Sequence, residues 1–253
     1  MTNEVLVEAR EGVLEVTINR PDQRNAMTKA AAEAIAAAMD RLDADPDLRC
    51  AILTGAGGAF CSGMDLKGFL RGELPVDARG GFGGITTWTP NKPVIAAVDG
   101  PALAGGMELA FACDLIVASA DARFGIPEVK RGLVAGGGGA VLLPRLLPRP
   151  LAMELALTGD PIGAARALEL GLVNRVTDGP AIEGARELAR RICDNGPLAV
   201  IATKGIVRDS WLWPMEDINT HQNPYIAHVF TSEDAKEGAR AFAEKRKPEW
   251  KGR

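Results

Sequence analysis

Lys92-Pro93-Val94-Ile95-Ala96-Ala97-Val98-Asp99-Gly100-Pro101-Ala102-Leu103-Ala104-Gly105-Gly106-Met107-Glu108-Leu109-Ala110-Phe111-Ala112-Cys113-Asp114-Leu115-Ile116-Val117-Ala118 is the stretch on which the fold turns. Val94 to Val98 is a short apolar run followed by glycine, the pattern of a buried strand feeding a tight loop. Gly105-Gly106 opens an apolar helical stretch through Cys113, and Leu115 to Ala118 is strand-like again. Strand, helix and strand in close succession point to an α/β fold. Glu108 is the only acidic or basic residue between Asp99 and Asp114, apart from the thiol of Cys113. Burial among those neighbours raises a carboxyl pKa.

Outward from this stretch, Cys50 to Thr54 is another apolar run that glycine follows, and Val13 to Asn19 alternates as a strand before Arg20-Pro21-Asp22 turns the chain. A surface helix is expected from Thr28, its N-cap, with Ile35, Met39 and Leu42 on one face and Pro46 beyond its end. Ile182, Ala185, Ala189 and Ile192 mark one face of a later helix that Asn195-Gly196-Pro197 stops. From there the chain reads as mostly helical, with a last helix capped by Ser232 and favoured by Glu233 and Asp234. The expected organisation is a core over residues 1–195 and a helical C-terminal region over 196–253. Gly80 to Gly84, inside the weakly patterned stretch from Gly68 to Asn91, is the candidate mobile loop.

A chain of 253 residues buries roughly three quarters of its unfolded surface, so a substantial core is possible. Its 47% apolar and 25% charged residues argue against disorder. A net charge of −4 offers no general attraction to nucleic acid, and no apolar run reaches the ~18 residues of a membrane span. Met1 to Arg10 has no secretory pattern, so the expected location is cytoplasmic. Cys50, Cys61, Cys113 and Cys193 are widely spaced, and His221 and His228 are the only imidazoles. Disulfide and metal frameworks are therefore both unsupported, and no metal is expected.

Glycines cluster at Gly55 to Gly63, Gly105-Gly106 and Gly136 to Gly139. Neither phosphate fingerprint fits: there is no P-loop, and the third glycine of a G-x-G-x-x-G would fall on Phe60. Glycines before a helix also leave free N–H groups facing a ligand, so such loops can hold an oxyanion. Glu108, in its apolar helix start, and Glu128, after Pro127, would make a pair of proton-transfer groups. The alternative is that each carboxylate simply caps a helix or meets its dipole.

Several of these segments together resemble the enoyl-CoA hydratase/isomerase, or crotonase, family. They are Ile18-Asn19-Arg20-Pro21 with Asn25-Ala26-Met27, Ala59 to Lys67, Lys92 to Val98, Gly100 to Asp114 and Phe124 to Glu128, with further matches to Arg246. The resemblance implies a crotonase-like superhelix of repeated strand-helix (ββα) units with a helical C-terminal region. By the same resemblance, the N–H groups of Met64 and Gly105 form an oxyanion hole, Glu108 and Glu128 flank one water, and Gly136 helps to position water or product. CoA is expected against Arg24, Ala26, Ser62, Asp65, Leu66 and Lys67, with Lys245 approaching from the same or a neighbouring chain. CoA enters as part of the substrate and no cofactor is implied.

Implied partners are an acyl-CoA thioester and further copies of the chain, as a trimer or a dimer of trimers, with no nucleic acid and no membrane. The implied reaction is reversible hydration of a trans-2-enoyl-CoA. An enoyl-CoA isomerase needs only one base, so two glutamates favour hydration; a dehydratase, or a hydratase of bulky acyl groups, would share these motifs. From another class, a CoA-binding protein without turnover is opposed by the glutamate pair, and an RNA binder by the absence of a basic helix. Three departures stand out: Ala104 where glycine is common, Ala135 where proline is common, and Asn223-Pro224 within what the family builds as a continuous helix. Cys61 reads as packing, the two histidines as surface, and Trp211 and Trp213 as interface anchors or core.

Overall fold

The structure, a computed structural model, describes residues 4–253. Val5–Arg10 (β1) and Val13–Ile18 (β2) form a hairpin about Glu11-Gly12. The chain continues through Lys29–Ala44 (α1), Cys50–Gly55 (β3), Leu66–Leu70 (α2), Val76–Asp77 (β4), Gly81–Phe82 (β5), Val94–Val98 (β6), Pro101–Leu103 (β7), Gly105–Ala112 (α3), Leu115–Ser119 (β8) and Arg123–Gly125 (β9). A 3-10 helix, Pro127–Arg131, precedes Gly139–Leu146 (α4), Arg149–Thr158 (α5), Ile162–Gly163 (β10), Ala164–Glu169 (α6), Arg175–Thr177 (β11) and Ala181–Cys193 (α7). Pro197–Asp209 (α8), Ile218–Thr231 (α9) and Glu233–Glu244 (α10) complete it. β1 escapes sequence reading because only Val5 of its six residues is buried.

One sheet runs β1-β2-β3-β6-β8-β11, parallel apart from the β1–β2 hairpin. Its central strands β3, β6 and β8 are buried on both faces, as their apolar runs require. Alternate residues separate the two sides: Cys50, Ile52, Ile95, Ala97 and Val117 meet Ala181, Ala185 and Ala189 of α7, while Ala51, Leu53 and Ala96 join the larger cluster with Ile35, Met39 and Leu42 of α1. Thr28 caps α1 as expected, its hydroxyl accepting from Ala31 N.

A second sheet, β7-β9-β10, sits across the turns that leave the first. Isolated pairing of Cys61 with Ala102 extends it by one position, and Ala102 in turn pairs with Phe124. β3 with Cys61 and α2, β6 with β7 and α3, and β8 with β9 and the 3-10 helix are thus three stacked strand–corner–helix turns. This is the superhelix of ββα units that the sequence implies. Because the corners are in register, Met64, Gly105 and Pro127 each stand three residues beyond a paired position. The three helix starts therefore open on the same space.

Two expectations need correction. Gly80 to Gly84 is not a mobile loop: it belongs to the β4–β5 ribbon, with Gly80, Gly81, Gly83 and Gly84 buried. A Cβ on Gly84 would lie 2.3 Å from Ala32 O and one on Gly83 2.4 Å from Leu109 Cδ2. The glycines there serve close backbone approach to α1 and α3. The departure at Asn223-Pro224 does not restart the helix: Pro224 lies inside a continuous α9. Proline has no N–H to give the helix, which the exposed turn around Pro224 tolerates.

Candidate active site

A cavity of about 700 Å³ opens where the three helix starts converge. Met64, Gly105, Glu108, Glu128 and Gly136 all line it, with Arg24, Ser62 and Leu66 along one part of the wall. Phe69, Leu74, Phe82, Leu133 and Val134 supply apolar surface.

The Met64 segment is held by pairing with the residues around Met27. Met27 N donates to Gly63 O at 2.7 Å, Asp65 N donates to Met27 O at 3.0 Å, and Ser62 N donates to Arg24 O at 3.1 Å. Asn25, fully buried, receives Arg20 N at 2.9 Å and donates to Ala56 O and Ala59 O, at 2.9 and 2.6 Å, fastening the two loops together. Among the described residues neither Met64 N nor Gly105 N has an acceptor. The two segments touch: a Cβ on Gly63 would come within 3.4 Å of Gly105 N. Gly105 begins α3, so its amide is one of the free donors of a helix N-terminus. Phe82 packs over this residue, its ring 2.1 Å from where a Cβ would be.

Glu108 stands in the first turn of α3 and is 3% exposed. Its Oε1 accepts Gly137 N at 2.7 Å and Gly139 N at 2.9 Å. Burial pushes its pKa above the ordinary carboxylate value, and those two donors oppose the rise. Glu128 stands in the first turn of the 3-10 helix; its Oε2 is shielded from solvent and has no partner among the described residues. Its pKa is also raised, by burial first and by the charge of Glu108, against its own backbone N–H and Arg131. The capping alternative holds in part beside this: Glu108 Oε1 meets the N–H of Gly139, the first residue of α4, and Glu128 meets its own N–H in the first turn of the 3-10 helix.

The four-glycine run thus contributes beyond its expected member as well, one and three residues later. Gly136 lines the cavity, whereas Gly137 and Gly139 hold Glu108; a Cβ on Gly137 would lie 2.6 Å from Glu108 Oε2. The run itself was visible in the sequence, but not which of its amides turns inward. Arg131 also lines the cavity and escaped sequence reading.

The expected CoA contacts divide. Arg24, Ser62 and Leu66 line the cavity, while Ala26, Asp65 and Lys67, with Leu66 again, line an adjacent depression beside Arg20. The Asp65 carboxylate caps α2, accepting Lys67 N at 3.0 Å and Gly68 N at 3.3 Å, and meets Arg20 at 3.0 Å. Lys245 caps the end of α10 and is not among the residues that line either space. Cys61 is fully buried, its thiol pushed up to about 12 by desolvation, which suits packing rather than nucleophilic chemistry. Among the described residues no cluster of ligands suited to a metal ion occurs, and no helix is long and apolar enough to cross a membrane.

Comparison with known proteins gives consistent results. The family profile described as enoyl-CoA hydratase/isomerase matches residues 8–253. Enoyl-CoA hydratase EchA19 of Mycobacterium tuberculosis is 46% identical, with 99% of this chain and 97% of the relative covered. Carnitinyl-CoA dehydratase of Proteus mirabilis is 42% identical over the whole of both chains. The crystal structure of enoyl-CoA hydratase EchA1 from Mycobacterium marinum superposes with a TM-score of 0.96 at 56% identity, covering 99% of each chain.

Proposed function

Because the chain belongs to the enoyl-CoA hydratase/isomerase family and is an enzyme of that family, we propose that it adds water reversibly to the double bond of a trans-2-enoyl-CoA. The observation that carries this reading is the convergence of two raised carboxyls, Glu108 and Glu128, with two amides that lack acceptors, Met64 N and Gly105 N, on one cavity. Those amides would receive the thioester oxygen. Negative charge gathers there as the enolate forms, and losing one such fixed donor typically costs about 3 kcal/mol.

Glu108, tethered through Oε1 by two amides that favour its charged form, takes a proton from water as the oxygen attacks C3. Glu128, whose Oε2 has no donor to stabilise a charge, delivers a proton to C2. Water is thus divided between the two carbons, one proton passes through the carboxyl pair, and no electrons leave or enter. Dehydration is the same path reversed, and kinship to a carnitinyl-CoA dehydratase supports keeping that direction open. Arg24 and Ser62 are the proposed CoA contacts on the cavity wall, with Ala26, Leu66 and Lys67 beside it; Gly136 N is proposed to meet the product hydroxyl.

Loss of the enoyl-thioester absorbance, followed with crotonyl-CoA and longer homologues, tests the reading. Wild type should hydrate at least one, and Glu108→Gln and Glu128→Gln should each fall by about 10² or more with folding intact by circular dichroism. Turnover of a 3-enoyl-CoA without any hydration would replace this reading with an isomerase.

The exposed Trp211, Leu212, Met215, Phe230 and Phe242 on and around the last three helices support self-association, for which a trimer or dimer of trimers is proposed.

A further inference from the structure

Arg131 ends the 3-10 helix whose second residue is Glu128. Side chains three apart on such a helix eclipse one another, so the guanidinium rises from the same face as the candidate acid, and both residues line the cavity. Its neighbour Lys130 is spent on an ion pair with Asp160. The Arg131 side chain, exposed at the edge of the cavity, has no hydrogen bond and no ion pair among the described residues. It is near enough to Glu128 for its charge to be felt there, yet not within bonding reach. The other cation on the cavity, Arg24, belongs to the wall assigned to CoA, whereas Leu133 and Val134 next to Arg131 are apolar.

We propose that Arg131 selects the charge of the acyl group, so that the substrate class is a 2-enoyl thioester whose acyl chain carries a carboxylate. The inference rests on the hydratase reading of this site. A hydrocarbon chain laid over Leu133 and Val134 removes water from the guanidinium and returns nothing, which burial of a charge penalises. A carboxylate gives it a charge-assisted, potentially bidentate partner. A trimethylammonium group brings like charge to the same place.

The test compares kcat/KM for three CoA thioesters of equal length, ending in methyl, carboxylate and trimethylammonium, on wild type, Arg131→Gln and Arg131→Glu. The expected result is a carboxylate preference of about tenfold or more over methyl in wild type, equivalent to ~1.4 kcal/mol. Arg131→Gln should erase that ratio, and Arg131→Glu should invert it toward the cation. A wild-type preference for methyl or trimethylammonium, or a ratio untouched by either variant, overturns the proposal. The same series on pantetheine thioesters, which lack the nucleotide phosphates, separates two sources of anion: a ratio that survives there belongs to the acyl end. An Arg131→Gln defect equal on all three CoA thioesters and absent with pantetheine assigns the residue to a CoA phosphate instead and overturns it too. If nothing is hydrated, the hydratase reading falls, while calorimetric binding of the saturated thioesters to wild type and Arg131→Gln still reads the charge preference.

Discussion

Ala104 has φ 53 and ψ −127, a conformation that is open to glycine and strained for any other residue. From the sequence, alanine for glycine at this position is one small residue for another. Its backbone explains why the strain persists: Ala104 N donates to Gly125 O, and its carbonyl receives Met107 N and Glu108 N. Such a conformation costs of order 1–3 kcal/mol, offset in a glycine variant by greater freedom of the unfolded chain. Ala104→Gly should therefore raise stability by about 1 kcal/mol, read as a higher urea midpoint at unchanged slope. Glu128 gives a second prediction at this scale. Its folded pKa is raised, so the native state holds a proton that the unfolded state has released over the window between the two values. Wild type loses stability as pH rises through that window, whereas glutamine does not titrate. The advantage of Glu128→Gln in Tm should accordingly grow as pH rises from the ordinary carboxylate value through the raised one; an advantage that is constant with pH would mean the carboxyl is not raised.

The β4–β5 ribbon shows how an element with few buried side chains can still shape the site. It lies on α1 and α3 through glycines, and it carries Phe82 to its place over Gly105. A methyl group at position 84 would meet Ala32 O at 2.3 Å and Ala36 N at 2.8 Å, with φ at +83 besides. Backbone atoms of a packed helix do not give way easily. Gly84→Ala should lower stability by about 1–3 kcal/mol and raise KM for the enoyl thioester as the ribbon lifts. Thermal melts and steady-state kinetics on one preparation would show both changes together if the ribbon is a wall of the site.

Across the whole molecule, the helical C-terminal region is tied to the core by a few polar links. Lys204 of α8 meets Asp114 Oδ2 at 2.7 Å and Lys92 O at 3.0 Å; Asp114 Oδ2 also accepts Val94 N at 2.8 Å, at the start of β6. Trp250 Nε1 donates to Asp194 O at 2.8 Å, and Asp234 receives Lys251 N and Gly252 N, at 2.7 and 2.9 Å, fixing the C-terminal residues beside α10. This region also exposes several large apolar side chains: Trp211 is 61% and Leu212 79% exposed. These side chains are therefore not core within one copy. If they are interface anchors, Trp211→Glu with Leu212→Glu should shift the mass measured by light scattering toward that of one chain, while wild type reads a multiple of it.

Local chemistry made much of the protein legible from its residues. β6, α3 and β8 follow from apolar runs punctuated by glycine, Thr28 and Ser232 cap their helices as their types predict, and Glu108 stood out as a lone acid in an apolar helix start. Such features depend on neighbours within a few positions, which a sequence contains in full. The second sheet did not show, because β7, β9 and β10 are two or three residues long and owe their pairing to distant partners. The same holds for the Gly137 and Gly139 amides on Glu108, the strained backbone of Ala104 and the unpaired Arg131 beside Glu128. The sequence by itself determined the family, the class of fold and the two acidic groups. Only the tertiary structure decided which amides face them and what lies opposite, since those relations arise where three successive turns of the chain stack in register.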